Sequence, residues 1–301
     1  MSIQVNNITK LYGEQKALNN VSFEIGSNEI VGFLGPNGAG KSTMMKILTC
    51  YIPATQGTAT VCGFDTTNQS IEVRKQIGYL PEHNPLYLDM YVKEFLEFVG
   101  GLYQVKNIKN RVKEMIDITG LQIEQNKKIG ALSKGYRQRV GLAQAMIHDP
   151  KVLIMDEPTT GLDPNQLEEI RGLIKKLGKQ KTVMLSTHIM QEVEAVCDRV
   201  IIINKGEIVA NDNTQALQQN STKQVITVEF DKPVSKQILL NIKGIEDAVN
   251  VENNTWKIIA DTKNDVRKEI FNYAVKNDIG ISTLNKEEQK LEDVFKQLTK
   301  K

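Results

Sequence analysis

The stretch Gly35-Pro36-Asn37-Gly38-Ala39-Gly40-Lys41-Ser42-Thr43 constrains this chain more than any other. It fits GxxxxGK[ST], and its surroundings fit as well: the apolar run Ile30 to Leu34 precedes it and a helix-like segment, Lys41 to Thr49, follows. A strand buried on both faces, a glycine turn and a helix make a phosphate cradle. Glycines let consecutive N–H groups point inward, and the helix N-terminus adds its dipole. Gly35, Asn37, Gly38 and Gly40 are therefore expected at the phosphates. Lys41 would bring a point charge to the β- and γ-phosphates, Ser42 a hydroxyl short enough to ligate Mg²⁺, and Thr43 a further contact.

The fold around such a loop is α/β. Over the first ~220 residues, strand-like and helix-like segments alternate. Ile3 to Ile8 and Val21 to Ile25 alternate apolar and polar residues, as half-buried antiparallel strands do. β patterns return at Val152 to Met155, Thr182 to Leu185 and Val200 to Ile203. Between about 87 and 148 the spacing turns helical. Tyr91, Phe95, Phe98 and Leu102 form one stripe, and Val112, Met115 and Ile116 another, which predicts a helical subdomain. Asp163-Pro164 is a helix start.

Asn211 to Thr222 is polar and reads as a linker with a short helix. A small unit spanning about 222 to 301 follows. Its strands are expected at Val225 to Phe230, Ala248 to Val251, Trp256 to Ile259 and Gly280 to Leu284. Its helices are expected at Ser235 to Ile242, Val266 to Val275 and Leu291 to Leu298. The order βαββαβ plus a helix predicts an α+β, ferredoxin-like module.

The second chemical signal is Lys151-Val152-Leu153-Ile154-Met155-Asp156-Glu157, an apolar strand ending in two acids. Ligands bind beyond the carboxyl ends of parallel strands. Asp156 there can hold Mg²⁺, and Glu157 can polarise a water for attack on the γ-phosphorus. His188 follows the strand-like Met184 to Thr187, where a histidine can meet the γ-phosphate and the attacking water. A P-loop does not choose the base. The [NT]KxD element that reads guanine is absent, since Asn204-Lys205 is followed by Gly206-Glu207. Tyr12 offers an aromatic face that stacks on a purine without reading its edge.

Composition narrows the class. A net charge of +2 predicts neither nucleic-acid nor bulk membrane binding. The apolar runs are far shorter than the roughly 20 residues of a spanning helix. The N-terminal MSIQVNNITKLYGEQ lacks the apolar core of a secretory signal. Three cysteines without a CxxC pair suit a reducing cytosol.

Together these residues resemble the ATP-binding cassette (ABC) family, and Leu132-Ser133-Lys134-Gly135-Tyr136-Arg137-Gln138-Arg139 resembles that family's signature sequence. Thr160-Gly161-Leu162-Asp163 resembles its D-loop and His188 its switch histidine. The resemblance covers about residues 1 to 220. It implies ATP and Mg²⁺ as cofactors, hydrolysis, and head-to-tail pairing of two cassettes, as a homodimer or with a paralogue. Ser133 and Gly135 of one copy would then face the P-loop of the other.

Two motifs depart from the pattern. Lys134 and Tyr136 alter the usual LSGGQ, and Glu82 replaces the family's Q-loop glutamine, keeping an oxygen ligand for Mg²⁺ while adding a charge. Tyr79-Leu80-Pro81-Glu82, the signature variant and the appended module resemble ATP-binding subunits of ABC-2 type exporters. Longer strings, LPEHNPLYLDMYV and STHIMQEVEAVCDRVIIINKG, resemble subunits associated with gliding motility. The implied partner is an integral membrane permease, contacted around Glu82 to Tyr91, with the chain peripheral on the cytoplasmic face of the membrane and no nucleic acid bound. The competing reading is a soluble cassette ATPase acting on ribosomes or DNA. Against it stand one cassette in the chain and no sustained heptad run.

Overall fold

A computed structural model describes residues 1–214, 216, 223–261, 265–287, 295 and 299. The chain forms two compact units, Met1–Thr214 and Gln215–Lys301.

The first unit is organised by a sheet whose strands, in spatial order, are β10 (Glu207–Asn213), β9 (Arg199–Asn204), β3 (Ile30–Leu34), β8 (Thr182–Thr187), β7 (Val152–Asp156) and β6 (Ile77–Leu80). All pairs are parallel except β9 with β10. β3, β7 and β8 are buried along their whole length, which is why they read as unbroken apolar runs. Their register carries the functional consequence. Leu34 pairs with Thr187, Asp156 with Ser186 and Leu80 with Met155. The four segments that leave β3, β6, β7 and β8 therefore emerge side by side at one edge.

A second sheet, β2 (Gln15–Ile25), β1 (Ile3–Tyr12), β4 (Gln56–Val61) and β5 (Phe64–Asp65), lies over the first. Between them runs the main core, where Phe23 and Phe33 meet with ring centroids 5.7 Å apart. Helix α1 (Lys41–Leu48) buries Met44, Met45, Ile47 and Leu48 in this layer. β4, β5, β10 and helix α2 (Ser70–Gln76) are elements the sequence patterns did not announce. Gln56–Val61 is mostly small and polar, and it becomes a strand by pairing with β1. Asn211 to Asn213, expected in a linker, instead complete β10, with Asn213 opposite Arg199.

Three helices form the subdomain: α3 (Val92–Leu102), α4 (Ile108–Thr119) and α5 (Lys134–Met146). α3 starts where Glu94 Oε2 accepts from the Tyr91 N–H at 3.2 Å. The buried face of α3 is Val92, Phe95, Leu96 and Val99. The expected stripe of Tyr91, Phe95, Phe98 and Leu102 has the right period but the wrong rotation: Tyr91, Phe98 and Leu102 are 48%, 43% and 68% exposed. Tyr87, from the preceding loop, packs on Phe98 and on Phe95 with ring centroids 5.8 and 5.9 Å apart. On α4, Val112, Met115 and Ile116 are buried. Two further helices, α6 (Pro164–Gly178) and α7 (Met190–Val196), follow β7 and β8. Asp163 caps α6, accepting from Gln166 N at 2.9 Å.

The second unit holds β11 (Lys223–Phe230), α8 (Lys236–Leu240), β12 (Ile245–Glu252), β13 (Thr255–Asp261), α9 (Arg267–Lys276) and β14 (Ile281–Glu287). Its sheet order is β12-β13-β11-β14, antiparallel throughout, the arrangement of a split βαβ module. Trp256 lies in its core. The short helix expected before Thr222 and the helix expected at Leu291 to Leu298 lie outside the described residues, apart from single positions.

Candidate nucleotide site

The side-by-side strand ends wall a cavity of about 650 Å³. Asn37, Gly38, Gly40, Lys41, Ser42 and Thr43 line it from the P-loop, Tyr12 from the end of β1, Glu82 from beyond β6, Glu157 from beyond β7 and His188 from beyond β8. Two expected residues lie behind the wall. Asp156 is 4% exposed and accepts from the Ser186 hydroxyl. Gly35 is buried, and its task is clearance: a Cβ there would lie 2.4 Å from the Ile203 carbonyl oxygen. Gly35→Ala should therefore cost about 1–3 kcal/mol, the usual penalty for overfilling a packed interior. A urea midpoint equal to that of the parent would contradict this. Gly40 is needed twice over. Its φ is +108, and a Cβ would lie 2.7 Å from the Ala17 carbonyl oxygen.

Lys41 is 7% exposed and donates to the carbonyls of Gly35 at 2.7 Å and Pro36 at 3.3 Å. Burial pushes its ammonium pKa down, against the opposing pull of Glu157, Asp156 and Glu82. Three carboxylates thus do not make up for the water this cation has lost. A triphosphate is a fitting counter-charge. The Glu157 carboxylate is the hub of the far wall. It lies 3.8 Å from Lys41 Nζ and 3.0 Å from His188 Nδ1, and it accepts from the Thr160 hydroxyl at 3.3 Å. Its backbone sits at φ +50, a conformation costing a non-glycine residue on the order of 1 kcal/mol. Such strain persists where surrounding structure enforces it, as at functional sites. Here two bonds from Glu157 N, to the carbonyl and the hydroxyl of Ser186, enforce it at 3.2 Å each.

Tyr12 is 48% exposed, with Lys10 Nζ 5.4 Å from its ring centre. Beside it, Gln15, Lys16, Ala17 and Lys205 also line the cavity, and none of them stood out in the sequence. Lys205 had one usable signal. Asn204-Lys205-Gly206-Glu207 is a hairpin connection, and Lys205 and Gly206 at φ +49 and +81 make the turn between β9 and β10. The Gly206 N–H bonds the Ala39 carbonyl at 3.0 Å, which holds Lys205 against the P-loop.

Ser133 and Gly135 are not in this cavity. Ser133 is exposed and caps α5, accepting from Tyr136 N at 3.4 Å. Gly135 is buried against Gln166, whose side chain a Cβ would approach to 2.5 Å. Lys134 reaches the D-loop, where a Cβ on Gly161 would lie 2.2 Å from its Nζ.

The geometry defines a P-loop nucleotide hydrolase: a phosphate cradle, a buried cation and a carboxylate–imidazole pair on one strand edge. The chain belongs to the ABC transporter ATP-binding protein family, and it is an ATPase. The ABC transporter family model matches residues 18–160. The ABC transporter ATP-binding protein NatA of Bacillus subtilis is 40% identical over 71% of this chain and 89% of its own. The linearmycin resistance ATP-binding protein LnrL of the same organism is 30% identical over 99% of this chain and 98% of its own. Among solved structures, the ATP-binding cassette MJ0796, a dimer in a post-hydrolysis state bound to ADP and Pi, matches with a TM-score of 0.64 and 29% identity, covering 70% of this chain and 98% of that one.

Proposed function

We propose that this chain powers a separate integral membrane permease of the ABC-2 exporter type, by pairing head to tail with a second cassette when ATP is bound. The observation that carries the pairing is the division of the site. Lys41, Glu157 and His188 share one cavity, whereas Ser133, an exposed helix cap suited to an anion, stands outside it. A second copy, or a paralogue, would complete each cavity with its own Ser133 and Gly135. ATP would lie between them, its base on Tyr12 and its phosphates on the P-loop. Hydrolysis would then release the pair.

Mg²⁺ suits the donors present, which are hard oxygens: the Ser42 hydroxyl and the Asp156 and Glu82 carboxylates. It would supply charge neutralisation at the phosphates. Asp156, held behind the cavity wall by the Ser186 hydroxyl, would take part directly or through a water. Glu157 is placed to accept a proton from the attacking water, and His188 to steady Glu157.

The permease reading is supported by relatives. One, in Bacillus licheniformis, is a bacitracin transport ATP-binding protein, 35% identical over 73% of this chain. Another solved relative, cbiO1 of Clostridium perfringens, is part of the ABC transporter complex cbiONQ. No helix among the described residues is long and apolar enough to cross a membrane. An apolar surface for the permease is offered by Tyr87, Leu88 and Tyr91, which are 55%, 49% and 48% exposed. They lie within LPEHNPLYLDMYV, one of the two strings that resemble gliding-motility subunits, and we assign the chain to that group of exporters.

Purification from gently solubilised native cells tests the reading. An integral membrane protein in stoichiometric amount is the expected companion, and Tyr87→Asp should release it. Ribosomal proteins or nucleic acid in its place would favour a soluble ATPase. Deletion of the gene in a gliding host should abolish gliding; normal gliding would remove that assignment and leave the exporter.

A further inference from the structure

The Glu157–His188 pair is held from behind by a third carboxylate that lines no part of the cavity. Glu192, on the first turn of α7, is 2% exposed. It accepts two hydrogen bonds, one on each oxygen. The Thr187 hydroxyl donates to Oε2 at 2.7 Å, and the Thr159 hydroxyl donates to Oε1. Both threonines are buried, at 0% and 5% exposure. Thr159 stands two residues after Glu157, and Thr187 immediately precedes His188. One buried side chain is thus bolted to both loops whose ends must meet.

The bonding around this carboxylate is closed. Thr187 Oγ1 gives its proton to Glu192 and accepts from the Ile189 N–H at 3.1 Å. That second bond fixes the turn carrying His188. On the other side, the Leu162 N–H bonds the Thr159 carbonyl at 3.3 Å, and the Thr160 hydroxyl bonds Glu157 at 3.3 Å. A displacement of Glu192 would therefore reach both partners of the 3.0 Å Glu157–His188 contact. The Thr187 carbonyl also accepts from the Gly35 N–H at 3.4 Å and Glu157 lies 3.8 Å from Lys41, but neither contact uses the Glu192 carboxylate or the two threonine hydroxyls.

A carboxylate is a costly way to fill such a place. Leucine would pack there without the desolvation of an acid. Two oxygens that accept at once from two separate hydroxyls are what a hydrocarbon lacks. An amide matches them in part, since its NH₂ must donate to one threonine whose own proton then loses its acceptor.

We propose that Glu192 is a positioning residue for hydrolysis: it sets the spacing and orientation of Glu157 and His188 through Thr159 and Thr187. The proposal rests on the reading of Glu157 as the water-activating group. Misplacing a reacting group by about 1 Å costs on the order of 100-fold in rate.

The test measures kcat, nucleotide affinity and thermal midpoint on the full-length chain, for Glu192→Gln, Thr159→Val, Thr187→Val and Glu157→Gln. Glu192→Gln should lower kcat about 10- to 100-fold while the affinity for a non-hydrolysable ATP analogue stays within about twofold. Each valine variant, close to threonine in volume, should lower kcat by a smaller factor. Combining Glu192→Gln with either should add less than the product of the single effects, as residues in one network do. Should Glu192→Gln fail to fold, the two valine variants decide. Wild-type kcat in Glu192→Gln, or in both valine variants, overturns the proposal, as does a loss of affinity that matches the loss of kcat. Glu157→Gln separates the two ideas: if it turns over normally, the reading of Glu157 falls, whereas a dead Glu157→Gln beside a fully active Glu192→Gln sinks the positioning role alone.

Discussion

Glu157→Gln should bind ATP with near-normal affinity, turn over at least about 100-fold more slowly than the parent, and accumulate as a dimer in ATP. The size follows from general-base catalysis, whose removal typically costs 10²- to 10⁴-fold. The specificity follows from the geometry. Glutamine keeps the length of the side chain, and its oxygen can still lie 3.0 Å from His188 Nδ1 and accept from Thr160. The φ of +50 is held by Ser186 through backbone atoms that the substitution does not alter. What is lost is the negative charge and the basicity. Single-turnover assays with size-exclusion chromatography in ATP are the measurement. Turnover near that of the parent would remove Glu157 as the base.

Lys41→Ala should weaken ATP binding about 10- to 100-fold, as expected for losing a charge-assisted hydrogen bond of about 1.5–3 kcal/mol. The apo protein should tolerate the change better than the loss of a buried ion pair would suggest, because burial already disfavours the Lys41 cation. The same fact gives a pH signature. The ammonium pKa is lowered in the free protein and rises when phosphate supplies the counter-charge, so ATP binding takes up a proton where free Lys41 is neutral. Affinity of the parent should therefore fall as pH rises through the lowered Lys41 pKa. In Lys41→Ala that dependence should flatten. Isothermal calorimetry across alkaline pH reads both effects. Equal affinities at neutral pH would refute the role of Lys41, and parallel pH curves would refute the protonation argument.

Much of this site is written in contiguous residues. The P-loop, the acids after β7 and the histidine after β8 each follow an apolar run, and a strand buried on both faces needs no partner to be recognisable. A period of about two or 3.6 residues likewise exposes β1, β2 and the helices of the subdomain. Those patterns come from local backbone geometry, so they survive in a single sequence.

The sequence by itself determined that this chain is a phosphate-binding α/β ATPase of the ABC family, because the P-loop, the signature, the acidic strand end and the switch histidine are each short contiguous motifs that follow one another in order. Tertiary structure decided the rest. It decided that Gly35 serves clearance against Ile203 and that Lys205 faces the P-loop. It decided that α3 presents Val92, Leu96 and Val99 inward while Phe98 and Leu102 face out. It also decided that Glu192, some 30 residues from Thr159, accepts from the Thr159 and Thr187 hydroxyls. Each of these depends on which strands lie side by side and in what register, and the energy that selects a register is spread over the packed core, with no local pattern to mark the residues it brings together.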